Sequence, residues 1–187
     1  MRTRRAILPD AVQIHDLIAM YVESGALLQR SLPELCENVR DFVVVEDDDG
    51  RIIGCGALHL YGMHLAEIRS IAVHPDAKGK GAGRRVIKAL LLEAARHRVS
   101  GVCLFTRIPE FFAKMGFTMA SLEDLPDKIY KDCLKCPKLN ACDEVAMVKG
   151  ELPKGVTIFQ QLRNAQRPVH PIAPKAGALE TLGKTGV

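Results

Sequence analysis

The feature that most constrains this chain is Lys78-Gly-Lys-Gly-Ala-Gly83, a glycine-rich loop set between a strand pattern and a helix pattern. Upstream, Ala66 to Val73 alternates as a strand; downstream, Val86, Ile87, Leu90, Leu91 and Ala94 mark one helical face. Strand, glycine loop and helix together form a general anion device. Exposed backbone N–H groups and the positive helix end converge on phosphate, and glycine permits the close approach. The loop lacks the terminal Lys-Ser/Thr pair of a nucleoside-triphosphatase loop and does not have the Gly-x-Gly-x-x-Gly form of dinucleotide folds. Glycines before a helix also serve packing, and the alternative for Lys78, Lys80 and Arg84 is a solvated basic loop, which the glycines beside them disfavour.

Period and turn chemistry place the other elements. Arg5 to Leu8 reads as a short strand, and Asp10 as the N-cap of a helix carrying Ile14, Leu17, Ile18 and Tyr21. Ser31-Leu-Pro33 opens a second helical piece with Leu35 and Val39 inward. Phe42–Val45 and Arg51–Leu58 flank the turn Asp47–Gly50 as a hairpin. In the strand from Ala66, period two puts Glu67, Arg69, Ile71 and Val73 on one face in the absence of a bulge. Gly101–Thr106 reads as a buried strand, Pro109–Met115 as a short helix stopped by Gly116, and Glu144–Val148 as the last strand of the body. The expected division is a body over 1–151 and a basic, Pro/Gly-containing tail over 152–187, mobile in most of its length.

From Leu152 onward basic residues outnumber acidic ones by four, which is the whole formal excess of +4. The near-neutral body argues against a broad nucleic-acid-binding face. No run of about 18 apolar residues is present, and Met1-Arg-Thr-Arg-Arg5 leads on without a signal-type apolar region, so a soluble cytoplasmic protein with no membrane partner is expected. Six cysteines in such a chain read as thiols or metal ligands rather than a disulfide framework.

Ile71-Ala-Val-His-Pro75 leading into Lys78-x-x-Gly81-x-Gly83 resembles the coenzyme A signature of the GNAT superfamily of N-acetyltransferases, Arg/Gln-x-x-Gly-x-Gly/Ala, with lysine at the first position as a departure. The resemblance covers residues 4–150 in element order as well as motif. It implies an α/β (α+β) fold with a mixed, mostly antiparallel central sheet flanked by helices, and acetyl-CoA as co-substrate in a cleft between splayed strands. It also implies that Lys78, Gly79, Lys80, Gly81, Ala82, Gly83 and Arg84 hold the pyrophosphate, and that the backbone over Ile71, Ala72 and Val73 holds the pantetheine arm and thioester carbonyl.

Three further stretches resemble the bacterial amino-acid N-acetyltransferase branch, in particular short N-acetylglutamate synthases: Leu27-Leu28-Gln-Arg30-Ser31, Glu67 to Pro75, and Leu104-Phe-Thr-Arg107 with Phe111-Phe112 and Gly116-Phe117. This implies acetyl transfer to the α-amine of L-glutamate, the first step of arginine biosynthesis. Recognising two carboxylates calls for at least two cationic donors, preferably forked. Arg30, beside the Leu28 backbone, matches the branch best; Arg69 with Ser70, Arg107, Lys128 and Lys131 are further candidates. Glu67 holds the family position for the group that deprotonates the amine. Many relatives protonate the leaving thiolate with a tyrosine where this chain has Phe111-Phe112, so Thr106, Tyr130 or solvent takes that task.

Asp132-Cys133 to Cys136-Pro137, followed by Cys142, resembles the tail of some short synthases and has a knuckle-like spacing. Zinc at Cys133, Cys136 and Cys142 would need a fourth ligand, for which His170, Asp143 or a cysteine of a second subunit are the candidates. Reduced thiols packing an irregular loop is the preferred reading, and Cys36, Cys55 and Cys103 read as core residues. The competing functions are acetylation of another amino acid or of a protein N-terminus, and a non-catalytic coenzyme A-binding sensor. A homodimer is left open.

Overall fold

The computed structural model describes residues 1–136, 138 and 141–152, with the side chains of Pro126 and Tyr130 excepted; most of the expected tail lies outside them. Seven strands form one sheet: β1 (Arg2–Arg5), β2 (Phe42–Glu46), β3 (Ile52–Leu60), β4 (Leu65–Val73), β5 (Gly101–Thr106), β6 (Thr118–Met119) and β7 (Val145–Gly150). Their order is β1-β2-β3-β4-β5-β7-β6, and every neighbouring pair is antiparallel except β4 and β5. The helices are α1 (Ala11–Ala19), α2 (Leu32–Glu37), α3 (Ala82–Arg96), α4 (Pro109–Ala113) and α5 (Pro126–Lys131).

Both faces of the sheet are covered, which is why Phe42 to Val45 are buried without alternation. Against one face lies α3, whose Val86, Ile87 and Leu90 meet Val43, Val45 and Ile68. Against the other lie α1 and α2, where Ile14, Leu17 and Leu35 meet Val44 and Cys55. A third cluster, Tyr61, Leu65, Cys103 and Leu125, extends that second face beneath β5 and β7. Leu152 also packs against it. The Ser31 hydroxyl caps α2 by accepting the Glu34 amide, as expected.

Three expectations are corrected. The first strand is Arg2–Arg5, because Pro9 initiates a 3-10 turn at Leu8–Asp10. Asp10 does not cap α1 with its side chain. Its carboxylate accepts the Ile7 amide at 2.7 Å and a forked pair from Arg4 at 2.6 and 2.9 Å, which stitches β1 to the entry of α1. Third, β4 does bulge. Cys55 pairs with Ala72 and Ala57 with Arg69, so Ser70 and Ile71 together oppose Gly56, and Ser70 takes φ +53°. Glu67 and Arg69 therefore share one face, while Ile71 and Val73 turn to the α3 face.

The α3 contact is close enough to exclude a methyl group at Gly56, where a Cβ would sit 2.7 Å from Cγ1 of the buried, stiff Val86 side chain. At Gly54 the nearest atom would be 3.4 Å away. Gly56→Ala is expected to cost about 1–3 kcal/mol through overpacking, and Gly54→Ala clearly less, as measured by urea unfolding.

Candidate active site

The opening in the sheet sets the site. β4 and β5 pair in parallel only over Leu65–Glu67 with Gly101–Cys103. Beyond that the bulged end of β4 leaves β5, which stays paired to β7 as far as Thr106. A cleft of ≈ 460 Å³ lies at this divergence, within the range of small-molecule sites.

At the α3 end, the chain leaves β4 through a 3-10 turn at Pro75–Ala77 and passes Gly79 and Gly81 at φ +76° and +88°. A Cβ at Gly81 would meet nothing within 4 Å, so handedness rather than space requires glycine there. The first helical hydrogen bond runs from the Arg85 amide to the Gly81 carbonyl at 3.1 Å, which leaves the amides of Ala82, Gly83 and Arg84 without helical partners at the positive end of a 15-residue helix. Lys78, Lys80 and Arg84 are exposed around them. Gly83 approaches Val73 and Phe111, so the helix end, β4 and α4 meet at one point. Tyr21 donates its hydroxyl to the Val73 carbonyl and lies under Lys78, whose Nζ is 5.2 Å from the ring centroid. The packing of α1 on the sheet brings Tyr21 here, and its place in an apolar helical stripe gave no sign of it.

At the other end, Glu67 is only 3% exposed. It accepts hydrogen bonds from the Tyr61 hydroxyl at 2.8 Å and from Lys128 at 2.8 and 3.1 Å. Asp132 joins the group, with Oδ2 at 2.6 Å from the Tyr61 hydroxyl, 3.2 Å from Lys128 Nζ and 3.7 Å from Arg69. Burial works against the Lys128 ammonium, but the charges of Glu67 and Asp132 outweigh it and hold the group above the ordinary 10.5. Lys128 also stands 5.3 Å from the Phe105 ring centroid. Arg69 reaches His59 Nδ1 at 3.1 Å, and burial followed by the charges of Arg69 and Lys131 pushes that imidazole down to about 4, leaving it neutral at pH 7.

The cleft brings together Leu28, Arg30, Glu67, Arg69, Ser70 and Ile71 with Thr106, Arg107, Lys128 and all three cysteines of the Cys133–Cys142 segment. Ala72 is buried on the α1 side instead, and Val73 with the loop Lys78–Arg84 stands apart at the α3 end. Not every cation is free: Arg30 pairs with Glu34, and Arg107 forks onto Asp143 at 2.6 and 2.7 Å while reaching the Ala26 carbonyl. That guanidinium holds the Asp143 carboxyl down at about 2, whereas burial pushes Glu144, also in the cleft, upward. The Thr106 hydroxyl accepts the Ile108 amide at 3.0 Å, which leaves its proton available to donate. The side chain of Tyr130 and all of His170 lie outside the described residues. Cys133 and Cys136 bracket one turn, and among the described residues no group of three or more His, Cys, Asp or Glu is arranged to hold a metal ion. Nor is any described helix long and apolar enough to cross a membrane.

Residues 38–119 match the acetyltransferase (GNAT) domain. The chain is also 40% identical over 146 residues to an uncharacterized N-acetyltransferase of Chlorobaculum tepidum, a match covering 78% of this chain and 94% of that one. The chain belongs to the GNAT acetyltransferases. Within the family it is 39% identical over 117 residues to the amino-acid acetyltransferase of Mycobacterium tuberculosis, covering 62% of this chain and 67% of the relative. It is similar in structure to N-acetylglutamate synthase from Neisseria gonorrhoeae complexed with coenzyme A and N-acetyl-glutamate. The TM-score is 0.72 at 30% identity, over 80% of this chain and 34% of the synthase chain. The protein is thus an acetyl-CoA-dependent N-acetyltransferase of the amino-acid acetyltransferase family.

Within this GNAT site the Lys128 contacts carry a stability prediction. Removing the ammonium strands two carboxylates around Tyr61, so Lys128→Met is expected to cost about 3–5 kcal/mol at pH 7. A lysine raised in the folded state stabilises fully below its unfolded value of 10.5, and that contribution is lost as pH rises through the folded value. The gap between variant and wild type in urea unfolding is therefore expected to be constant between about pH 7 and pH 10 and to narrow above it.

Proposed function

We propose that this enzyme acetylates the α-amine of L-glutamate. The observation that carries the reading is the charge of the cleft: seven lysine and arginine side chains line it against four carboxylates, with the buried Glu67 among them. A dicarboxylate with an ammonium group complements that arrangement, because cations at the rim attract the carboxylates while Glu67 attracts the amine. Arg30, whose ion pair among the described residues is with the partly exposed Glu34, is the fork that a substrate carboxylate reaches most readily. The likeness to N-acetylglutamate synthase supports the same substrate, and with it a place in arginine biosynthesis.

In this reading the pyrophosphate of acetyl-CoA lies on the unpaired amides of Ala82, Gly83 and Arg84, with Lys78 and Lys80 beside it. The pantetheine arm follows β4 past Val73, and the thioester reaches the gap beside Ile71. The ammonium loses a first proton to Glu67, and the amine attacks the thioester carbonyl carbon; the nitrogen then gives up its second proton as the C–S bond breaks, and the thiolate takes up one proton from solvent or through Thr106. Coenzyme A thiol has an undemanding acidity, near that of a cysteine at about 8.5, so a weak donor suffices.

A second reading is favoured by Arg107 and Lys128, whose charges Asp143, Glu67 and Asp132 already engage. An amino acid with an uncharged polar side chain, such as glutamine, would leave those pairs intact. Thiol release from acetyl-CoA across the amino acids decides between the two: the fastest turnover is expected with glutamate, and equal rates with glutamate and an uncharged amino acid would remove the first reading.

Arg30→Ala is expected to raise KM for glutamate roughly 10–100-fold, through loss of a charge-assisted contact of about 1.5–3 kcal/mol, while leaving KM for acetyl-CoA within about twofold. Gly81→Glu should abolish acetyl-CoA binding in calorimetry with the circular dichroism spectrum retained. The variant places a carboxylate beside the phosphate amides and strains the left-handed backbone.

A further inference from the structure

The hydrogen-bond arithmetic around Tyr61 does not close in the resting state. Its hydroxyl carries one proton yet stands within hydrogen-bond distance of two carboxylate oxygens, Glu67 Oε2 at 2.8 Å and Asp132 Oδ2 at 2.6 Å. With both carboxylates ionised, only one of the two contacts has a proton in it. One more proton on Glu67 completes the set: Glu67 then donates to the Tyr61 oxygen, and Tyr61 donates to Asp132. The geometry is matched to the state in which Glu67 has just received a proton.

Glu67 also has a disposal problem. It is 3% exposed, and a bound amino acid would cover its remaining access through the cleft. Asp132, by contrast, has a side chain that is 29% exposed. From these contacts, and resting on the assignment of Glu67 as proton acceptor, we infer that Tyr61 and Asp132 form a proton exit for the reaction. The steps balance. The substrate ammonium passes a proton to Glu67; the Glu67 O–H proton moves to the Tyr61 oxygen as the Tyr61 proton moves to Asp132 Oδ2; Asp132 releases it to water. Glu67 is again a carboxylate and Tyr61 again a neutral phenol.

The surroundings suit a relay in which Tyr61 never carries charge. Burial first, and then the facing carboxylates, push its phenol far above its ordinary value, so the two transfers through it occur together. Burial would raise the Asp132 carboxyl, but the Tyr61 hydrogen bond and the charges of Lys128 and Arg69 outweigh it and hold the group below its ordinary value. Asp132 is therefore empty at neutral pH and sheds its proton readily. Lys131 stands over the Tyr61 ring, His59 meets it edge-on, and Cys103 lies beside Glu67 on β5 with its thiol pushed up by burial. None of these offers Glu67 another exit.

Tyr61 does not line the cleft, and Asp132, which stands at its wall, is assigned a role through Glu67. The test is single-turnover acetyl transfer at saturating acetyl-CoA and the fastest acceptor of the amino-acid panel, in H₂O, D₂O and mixtures. Tyr61→Phe keeps the ring and its packing, Asp132→Asn keeps the size of a side chain that is 29% exposed, and urea unfolding establishes that each variant is folded under the assay conditions. Each is expected to lower the transfer rate about 10–100-fold with both KM values within about twofold, and to turn a curved proton inventory into a linear one. Asp132→Glu, which keeps the carboxylate, should recover most of the rate. Wild-type rates and an unchanged inventory in both Tyr61→Phe and Asp132→Asn would overturn the relay. Glu67→Gln separates this from the parent reading: a loss of about 10²–10⁴-fold supports Glu67 as the acceptor whatever the relay variants do, and no loss removes both.

Discussion

β4 hydrogen-bonds to β5 over three residues and then parts from it, and the enzyme depends on that parting. Parallel neighbours in a covered sheet ordinarily pair along their length, because unpaired backbone amides and carbonyls inside a protein are costly. Here the partnership is broken by the extra residue at Ser70, which is held in a left-handed conformation and bends β4 away. The vacated space becomes the cleft, and the strand edges become its walls. The bulge also exchanges the faces of β4 at its midpoint. Before it Glu67 and Arg69 point toward α5; after it Ile71 and Val73 point toward α3, so one strand presents charged groups to one end of the cleft and apolar groups to the other.

The two ends of the cleft use opposite electrostatic strategies. At the α3 end the anion device is exposed, built from unpaired amides, open glycines and solvated cations, which suits a highly charged pyrophosphate that keeps part of its hydration. At the α5 end the charges are buried and compensated. Glu67 and Asp132 share Lys128, Arg69 approaches from the side, and Tyr61 bridges the carboxylates. In such a place the nearest groups to Glu67 are hydrogen-bonded neighbours rather than bulk water. A surface glutamate would need no such arrangement.

Cys133, Lys135, Cys136, Lys138 and Cys142 line the same cleft, and Lys138 donates to the Gly25 carbonyl at 2.7 Å. That position gives these residues a bearing on substrate access irrespective of metal. The 3-10 turn at Cys133–Lys135 follows directly from α5, which also carries Lys128 and leads into Asp132. One short stretch of chain therefore supplies both the compensation of Glu67 and the mouth of the cleft.

Much of the fold was legible from local chemistry: the hairpin at Asp47–Gly50, the Ser31 cap, the apolar face of α3 and the left-handed glycines of the loop are set within a few residues of sequence. The motif around Gly81 was legible for the same reason, since backbone handedness and helix start are local properties. Glu67, Arg30 and Lys128 were singled out by the family resemblance, and the structure places all three along one cleft. What local reasoning missed was the bulge at Ser70, since one inserted residue leaves no mark on composition and only pairing with Gly56 reveals it. It also missed α5, whose six residues are too few to show a period. Tyr61 and Asp132 stand 71 positions apart and meet only because α5 packs under β4 and β5. Sequence alone determined which residues could bind phosphate or carry charge. Tertiary structure alone decided which charges are already paired, because pairing is a matter of distance and burial between segments that the chain keeps far apart.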